Sequence, residues 1–311
     1  MIETIVPASS VKKRKISDVC DEYIVKQGEG KCTVYSLLPG ITLIYDDFHT
    51  DEVVLDYTYN QKILSVDFCS EGRIEWEHED GSFCYLGERD VQVSVKNDHV
   101  ARYGFPTGHY HGITVNFFID DASLSLKELF PMFEMNLEEL WERYSKQKDY
   151  FIRHTKKTVQ RIFADLNQNR KNIQIDYLRI KIIELLYILS KTEQDDKGAE
   201  KPYFMKTHVE KVRKIKKHLC ENTDLKLTLT QLSEDFDISQ SVLRACFKAM
   251  YGQSVHAFAK QFRLEKAALL LRTTELSVTE ISLESGYENP SKFISAFKGR
   301  FGKTPLKYRK K

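Results

Sequence analysis

Apolar residues recur along this 311-residue chain with two different periods. Between residues 32 and 120 they form short runs, at 33–38, 41–45, 53–57, 63–68, 73–77, 83–86, 91–95 and 113–119. Many alternate, as Ile74, Trp76 and His78 do against Arg73, Glu75 and Glu77. The pairs Pro39-Gly40, Glu71-Gly72 and Asp80-Gly81, and Lys96-Asn97-Asp98, supply turns between the runs. About eight short strands with no helix among them predict an antiparallel barrel or jelly roll. Residues 1–30 carry little pattern and read as an N-terminal arm.

From residue 124 the period lengthens to that of a helix. Leu124, Leu129 and Phe133, then Leu137, Leu140, Trp141 and Tyr144, mark one or two helices. Another carries Ile152, Val159, Ile162, Phe163 and Leu166. In 175–189 one stripe is Leu178, Ile182, Leu185, Leu186 and Leu189, with Ile180, Ile183 and Tyr187 beside it. Such breadth predicts packing on two sides, one against the barrel and the other against a second subunit or within the domain. Residues 192–202 hold no apolar residue but Ala199 and read as a linker. Val209, Val212, Ile215 and Leu219 then begin an all-helical region, with Lys211, Arg213, Lys214, Lys216 and Lys217 on the opposite face.

Within that region one local grammar occurs twice. Ser277-Val-Thr-Glu280 has the form of a capping box and leads a short helix through Val278, Ile281 and Leu283. Gly286 ends it, and Asn289-Pro290 restarts it as N-cap and first helical residue. Phe293, Ile294, Phe297 and Phe301 follow at helical spacing, with Lys292, Lys298 and Arg300 on the other side. Earlier, Thr228-Leu-Thr-Gln231 is again a capping box, leading through Leu229, Leu232 and Phe236. Its turn has Asp237 where the later copy has Gly286, and Asp tolerates the left-handed conformation better than most residues. Ser239 caps the next helix, which turns Val242, Leu243, Phe247 and Met250 inward and Gln240, Ser241, Arg244 and Lys248 outward. Phe247-Lys248 follows Ser239, and Phe297-Lys298 follows Asn289, at the same eight-residue offset. Two helix-turn-helix units result, each with a second helix suited to a DNA groove. A long amphipathic helix through Val255, Phe258, Phe262, Leu264, Ala268 and Leu271 separates them.

These residues, above all Gly286-Tyr287, Asn289-Pro290-Ser291, Phe293, Phe297-Lys298, Phe301-Gly302, Pro305 and Tyr308-Arg309, resemble the DNA-binding domain of the AraC/XylS family of bacterial transcription regulators. The resemblance covers residues 208–309. It implies a seven-helix unit whose two helix-turn-helix motifs enter adjacent major-groove segments. It also implies a cupin-like effector domain in the barrel, dimerisation through the following helices, and activation with RNA polymerase as partner. The fold class expected is therefore α+β: an arm at 1–30, a cupin-like effector-binding and dimerisation domain at 31–191, a linker at 192–206 and the DNA-binding domain at 207–311.

Charge agrees with this division. Residues 201–311 hold 22 Lys and Arg against 11 Asp and Glu, a net +11, while the remainder is −9. A basic third is expected where phosphates are met. Six scattered Cys without a CxxC pair, a polar and basic N-terminus and no apolar run of membrane-spanning length lead to the expectation of a cytoplasmic protein with reduced thiols and no membrane partner. Cys246 reads as a packed, structural thiol.

For DNA contact the register with the family presents Gln240, Ser241, Arg244 and Lys248 from the first recognition helix and Asn289, Ser291, Lys292, Ser295 and Lys298 from the second. Arg244 is the expected base reader, because its guanidinium matches guanine O6 and N7. Lys248, Lys298 and Arg272 are expected at phosphates. Tyr45, Tyr57, Tyr59, Trp76 and Tyr85, with His109 and His111, are candidates to line an effector pocket or simply to fill the barrel. His109 and His111 share a strand face, but a metal needs at least three ligands and no acid stands between Thr114 and Phe118. No metal, cofactor or catalytic residue is expected, and the chain reads as a regulator rather than an enzyme. Two other readings stay open: a barrel that serves only dimerisation or partner contacts, and a cupin metalloenzyme fused to a DNA-binding module.

Overall fold

The computed structural model describes residues 11–25, 29–54, 61–78, 80–96, 102–133, 135–146, 151–153, 157–171, 174–191, 203–222 and 227–309. The linker at 192–202 and Tyr57 and Tyr59 lie outside them. Two compact units divide at Tyr203/Phe204, and no described helix is long and apolar enough to cross a membrane.

The first unit is a curled antiparallel half-barrel backed by helices. Strands β1 (Val11–Ser17), β2 (Cys20–Val25), β3 (Glu29–Leu38) and β4 (Ile41–His49) pair in sequence, and β4 pairs with β10 (Tyr110–Phe118). Beyond it lies β6 (Ile63–Glu77), whose first half also pairs with β8 (Val91–Lys96) and whose second half pairs with β7 (Ser82–Gly87) and β9 (Arg102–Gly104). The short strands β5 (Glu52–Val54) and β11 (Phe151–Arg153) extend the edges through β9 and β8.

In the sheet, three expectations are corrected. Residues 11–25 are not a patternless arm but a hairpin, β1–β2. Its alternation escapes a reading of apolar runs because Lys13 and Arg14 face Asp21 and Glu22 across the strands. The turn expected at Glu71-Gly72 is a bulge inside one 15-residue strand. His111 and Gly112 pair with Glu71 and Cys69, leaving Ser70 unopposed. Gly72 sits at φ +76°, and a Cβ there would come within 2.2 Å of the His109 carbonyl oxygen. The chain bends without reversing, which lets β6 serve both halves of the sheet. Third, the last strand ends at Phe118, and Ile119 is already helical.

The backing helices are α1 (Ile119–Leu129), α2 (Leu137–Ser145), α3 (Lys157–Gln168) and α4 (Ile175–Ser190). They cover the convex face through a core that includes Tyr45, Phe68, Phe117, Ile162, Phe163, Leu178 and Leu185, with Phe68 and Phe163 stacked at 4.8 Å. In α1 the buried face is Ile119, Ala122 and Leu126, so the expected stripe is displaced: Leu124, Leu129 and Phe133 are exposed. Helix α4 buries the expected Leu178, Ile182, Leu185, Leu186 and Leu189 and leaves Ile180 and Tyr187 outside. The concave face carries a second core with Phe48, Trp76, Phe105 and Tyr110, whose rings stack at 5.1 Å and 5.6 Å around Phe105.

The second unit contains seven helices among its described residues. They are α5 (Lys206–Glu221), α6 (Leu229–Asp235), α7 (Gln240–Tyr251), α8 (Val255–Thr273), α9 (Val278–Glu284), α10 (Pro290–Phe301) and α11 (Pro305–Arg309).

Candidate DNA-binding surface and effector pocket

Both helix-turn-helix units begin with a reciprocal cap. The Thr228 hydroxyl accepts from the Gln231 N–H at 3.2 Å, and Gln231 Oε1 accepts from the Thr228 N–H at 2.9 Å. Ser277 accepts from the Glu280 N–H at 3.2 Å, and Glu280 Oε2 accepts from the Ser277 N–H at 2.7 Å. Hydrogen bonding from the Ser277 hydroxyl, and then from its N–H, holds the Glu280 carboxyl below the usual carboxylate range. Each first helix also ends alike. The Ile238 N–H donates to the Ser233 carbonyl at 3.0 Å, and the Tyr287 N–H to that of Ser282 at 2.9 Å. The intervening residue is left-handed in both, Asp237 at φ +48° and Gly286 at φ +73°. Asp237 thus adopts the conformation its chemistry permits, and Lys211 pairs with its carboxylate at 3.0 Å.

The second helices are then fixed in direction. Ser239 caps α7 by accepting from the Val242 N–H. The Asn289 side-chain oxygen accepts from the Ser291 and Lys292 N–H groups at 2.9 and 3.3 Å, with Pro290 at the first position of α10. Inside, Leu243, Cys246, Phe247 and Met250 are fully buried on α7, as are Phe293 and Phe297 on α10. Cys246 lies 3.8 Å from the Met250 sulfur, a packed position. Ile281 is fully buried on α9, whereas Leu283 and Ile294 are exposed. The 19-residue α8, about 28 Å long, buries Leu264, Ala267, Ala268 and Leu271 and so shares a core with α9 and α10.

Ser241, Arg244, Lys248, Ser291, Lys292, Ser295 and Lys298 are all exposed. Arg244 does not hang free. It donates to Gln240 Oε1 at 3.2 Å, and Gln240 Nε2 donates to the Thr230 hydroxyl at 3.1 Å. Thr230 on α6 therefore orients a side-chain relay along the leading edge of α7. Asn289 has its oxygen committed to the cap. Arg272 is likewise engaged: it donates to the Tyr308 hydroxyl and lies 4.8 Å from that ring, which ties α8 to α11.

In the first unit the described members of the expected pocket set, Tyr45, Trp76, Tyr85, His109 and His111, do not converge. Tyr45 is buried in the convex core, its hydroxyl donating to the Leu166 carbonyl at 2.9 Å, and burial pushes its phenol up to about 12. Trp76 and Tyr85 are buried too, Trp76 in the concave core. The His109 ring lies 3.2 Å from the Thr107 carbonyl, and His111 turns toward β4. The concave face holds something the sequence reading missed. Ser36, Thr42, Asn116, Ser65 and Ser94 stand directly opposite one another across β3, β4, β10, β6 and β8. All but Ser36 are buried. Asn116 accepts from Ser65, while the Thr42 and Ser94 hydroxyls and the neighbouring Gln92 side-chain oxygen have no partner. At the Ser36–Thr42 end a cavity of about 650 Å³ opens, lined also by Lys13, Asp21, Phe118 and Arg179. One row further along lie Asp67 and Thr114, bonded at 2.8 Å, and beside them Asp46. Burial, reinforced by the Asp67 carboxylate, pushes the Asp46 carboxyl up to about 6, against the hydrogen bonds from Cys32 and Thr114.

The second unit is a DNA-binding domain built on two helix-turn-helix motifs in fixed register. Residues 232–311 match the family model described as a helix-turn-helix domain. The chain is 37% identical over 95 residues to the xylose operon regulatory protein of Escherichia coli K12, covering 30% of this chain and 23% of that protein. It is 40% identical over 74 residues to the HTH-type transcriptional regulator MtrA of Neisseria gonorrhoeae, 24% of this chain and 25% of that one. Among solved structures, the C-terminal domain of the response regulator yesN from Fusobacterium nucleatum is 38% identical. The match covers 31% of this chain and 96% of that domain, with a TM-score of 0.30. The chain spans about a quarter of the length of the two curated relatives. Residues 232–311 thus form a helix-turn-helix domain of the kind found in AraC/XylS-type regulators.

Proposed function

We propose that the protein is a transcription regulator that reads promoter DNA with α7 and α10 and whose DNA binding or activation answers to a small molecule held by the half-barrel. The observation that carries the DNA reading is the duplicated, fully capped frame that turns one exposed polar edge outward on each of α7 and α10. Arg244, steadied by Gln240 and Thr230, reads a base; Ser241 supports it. Ser291, Lys292 and Ser295 act from α10, and Lys248 and Lys298 hold phosphates. Arg272 and the Asn289 oxygen leave this set, because each is committed within the domain. The test is binding to the chain's own upstream DNA against scrambled DNA across a salt series. Arg244→Ala is expected to weaken specific binding by about 1–3 kcal/mol and to relax one base position. Equal loss on scrambled DNA refutes direct readout.

The effector half of the proposal rests on the concave polar row. Buried hydroxyls and amides are ordinarily hydrogen-bonded, and a row of them beside a cavity in the volume range of ligand sites is how a polar small molecule is held. Lys13, paired with Asp21, and Arg179, paired with Asp176, supply charged and hydrogen-bonding groups along its lining. The pocket therefore moves from the Tyr45, Trp76 and Tyr85 set, with His109 and His111, to Ser36, Thr42, Lys13 and Arg179. A thermal-shift screen of polar metabolites tests this, since a ligand of the folded barrel raises its melting temperature. A hit whose shift survives Thr42→Val places the ligand elsewhere. Activation through RNA polymerase and dimerisation through α4 remain part of the family reading, the latter consistent with exposed Ile180 and Tyr187.

A further inference from the structure

The convex face of the sheet, away from the polar row, brings two histidines and two carboxylates together. Asp47 and His49 lie two apart on β4 and so share a face, and His111 pairs directly with Asp47 on β10. His111 Nε2 is 3.3 Å from Asp47 Oδ1 and 3.3 Å from His49 Nε2, and His49 Nε2 is 3.1 Å from Asp47 Oδ1. Three donor atoms of metal-ligating type thus form a nearly equilateral triangle. Tetrahedral coordination with bonds of about 2.0 Å sets neighbouring ligand atoms about 3.3 Å apart. The triangle is therefore one face of such a tetrahedron.

The surroundings match a metal centre as well. Glu71, opposite His111 on β6, has its carboxylate 3.2 Å from His111 Nδ1. A proton on Nδ1 donated to Glu71 leaves the Nε2 lone pair facing the triangle, the arrangement that orients metal-binding imidazoles. Arg170 Nη2 lies 3.4 Å from the other Asp47 oxygen, Oδ2, so it neutralises and aims the carboxylate without occupying Oδ1. His49 has 51% of its side chain exposed, which leaves the fourth position open to solvent. His109, whose ring centre is 6.1 Å from that of His111, stands outside the set.

We propose that Asp47, His49 and His111 bind a first-row divalent cation of the zinc class, with Glu71 as positioning residue. Imidazole with a carboxylate suits Zn2+ over Ca2+ or Mg2+, which take oxygen ligands. The experiment is calorimetric titration of the full chain, first dialysed against chelator, with ZnCl2. One equivalent is expected to bind. His49→Ala, at an exposed position that leaves folding intact, and His111→Ala each abolish that equivalent, and His109→Ala retains it. Glu71→Gln weakens binding by about 10- to 100-fold through the lost orientation of His111. Failure of the wild-type chain to bind one equivalent overturns the proposal, as does an equivalent that survives both His49→Ala and His111→Ala.

Discussion

Gly286 and Gly299 stand thirteen positions apart in the same helix-turn-helix unit, and the same substitution at the two has opposite predicted signs. Gly286 holds φ +73° in the turn between α9 and α10. A Cβ there meets the following carbonyl oxygen, at a cost of about 1–2 kcal/mol for Ala. The loss of unfolded-state freedom returns about 0.4–1 kcal/mol, so Gly286→Ala should destabilise by about 1 kcal/mol. Gly299 lies on the exposed side of α10, and a Cβ there meets nothing within 4 Å. Helical backbone suits Ala, so Gly299→Ala should stabilise by about 0.5–1 kcal/mol. For a unit of this size, 1 kcal/mol moves the melting temperature by about 4–8 °C. Scanning calorimetry of the full chain, following the transition of the C-terminal unit, reads both. Asp237 supplies an internal standard, because the first turn already holds a non-glycine at φ +48°. Gly286→Asn should therefore fall between Gly286→Ala and wild type. Shifts of equal sign for the two alanine variants, or a neutral Gly286→Ala, would refute the argument from backbone conformation.

Ser277→Ala removes the hydroxyl that accepts from the Glu280 N–H and should cost about 1 kcal/mol, readable as a lower urea midpoint with unchanged slope; no change would mean that the α9 cap contributes nothing to stability. The Asp46 carboxyl, raised to about 6 by burial beside Asp67, takes a proton more readily folded than unfolded. Its contribution to stability is accordingly complete below about pH 4, the unfolded value, and is lost as pH rises through about 6. Asp46→Asn should flatten the stability of the first unit across that window, and an unaltered profile would assign the pH dependence to other groups. Arg244→Ala, measured on specific and scrambled DNA, separates a base contact from a phosphate contact as described above.

The second unit was legible in the sequence because its signals are local. A capping box spans four residues, a left-handed turn one, and the two copies check each other: Thr228 with Gln231 and Ser277 with Glu280 could be paired without knowing anything distant. The concave row and the histidine triangle are the opposite case. Ser36, Thr42, Asn116, Ser65 and Ser94 become neighbours only through the register of five strands, and none is unusual where it stands. His111 drew attention beside His109, a neighbour two residues away, yet its partner on β4 is 62 residues distant. The one local trace was Asp47 and His49 themselves, two apart at the end of an apolar run and hence on one strand face. The N-terminal hairpin was missed for a related reason: β1 holds itself in the sheet with charges matched across strands rather than with apolar alternation, so a search for hydrophobic period sees a featureless arm. Each of these losses has the same physical root. In a sheet the residues that meet are set by pairing partners and bulges such as the one at Ser70, whereas in these short capped helices most of the defining contacts lie within a few residues along the chain.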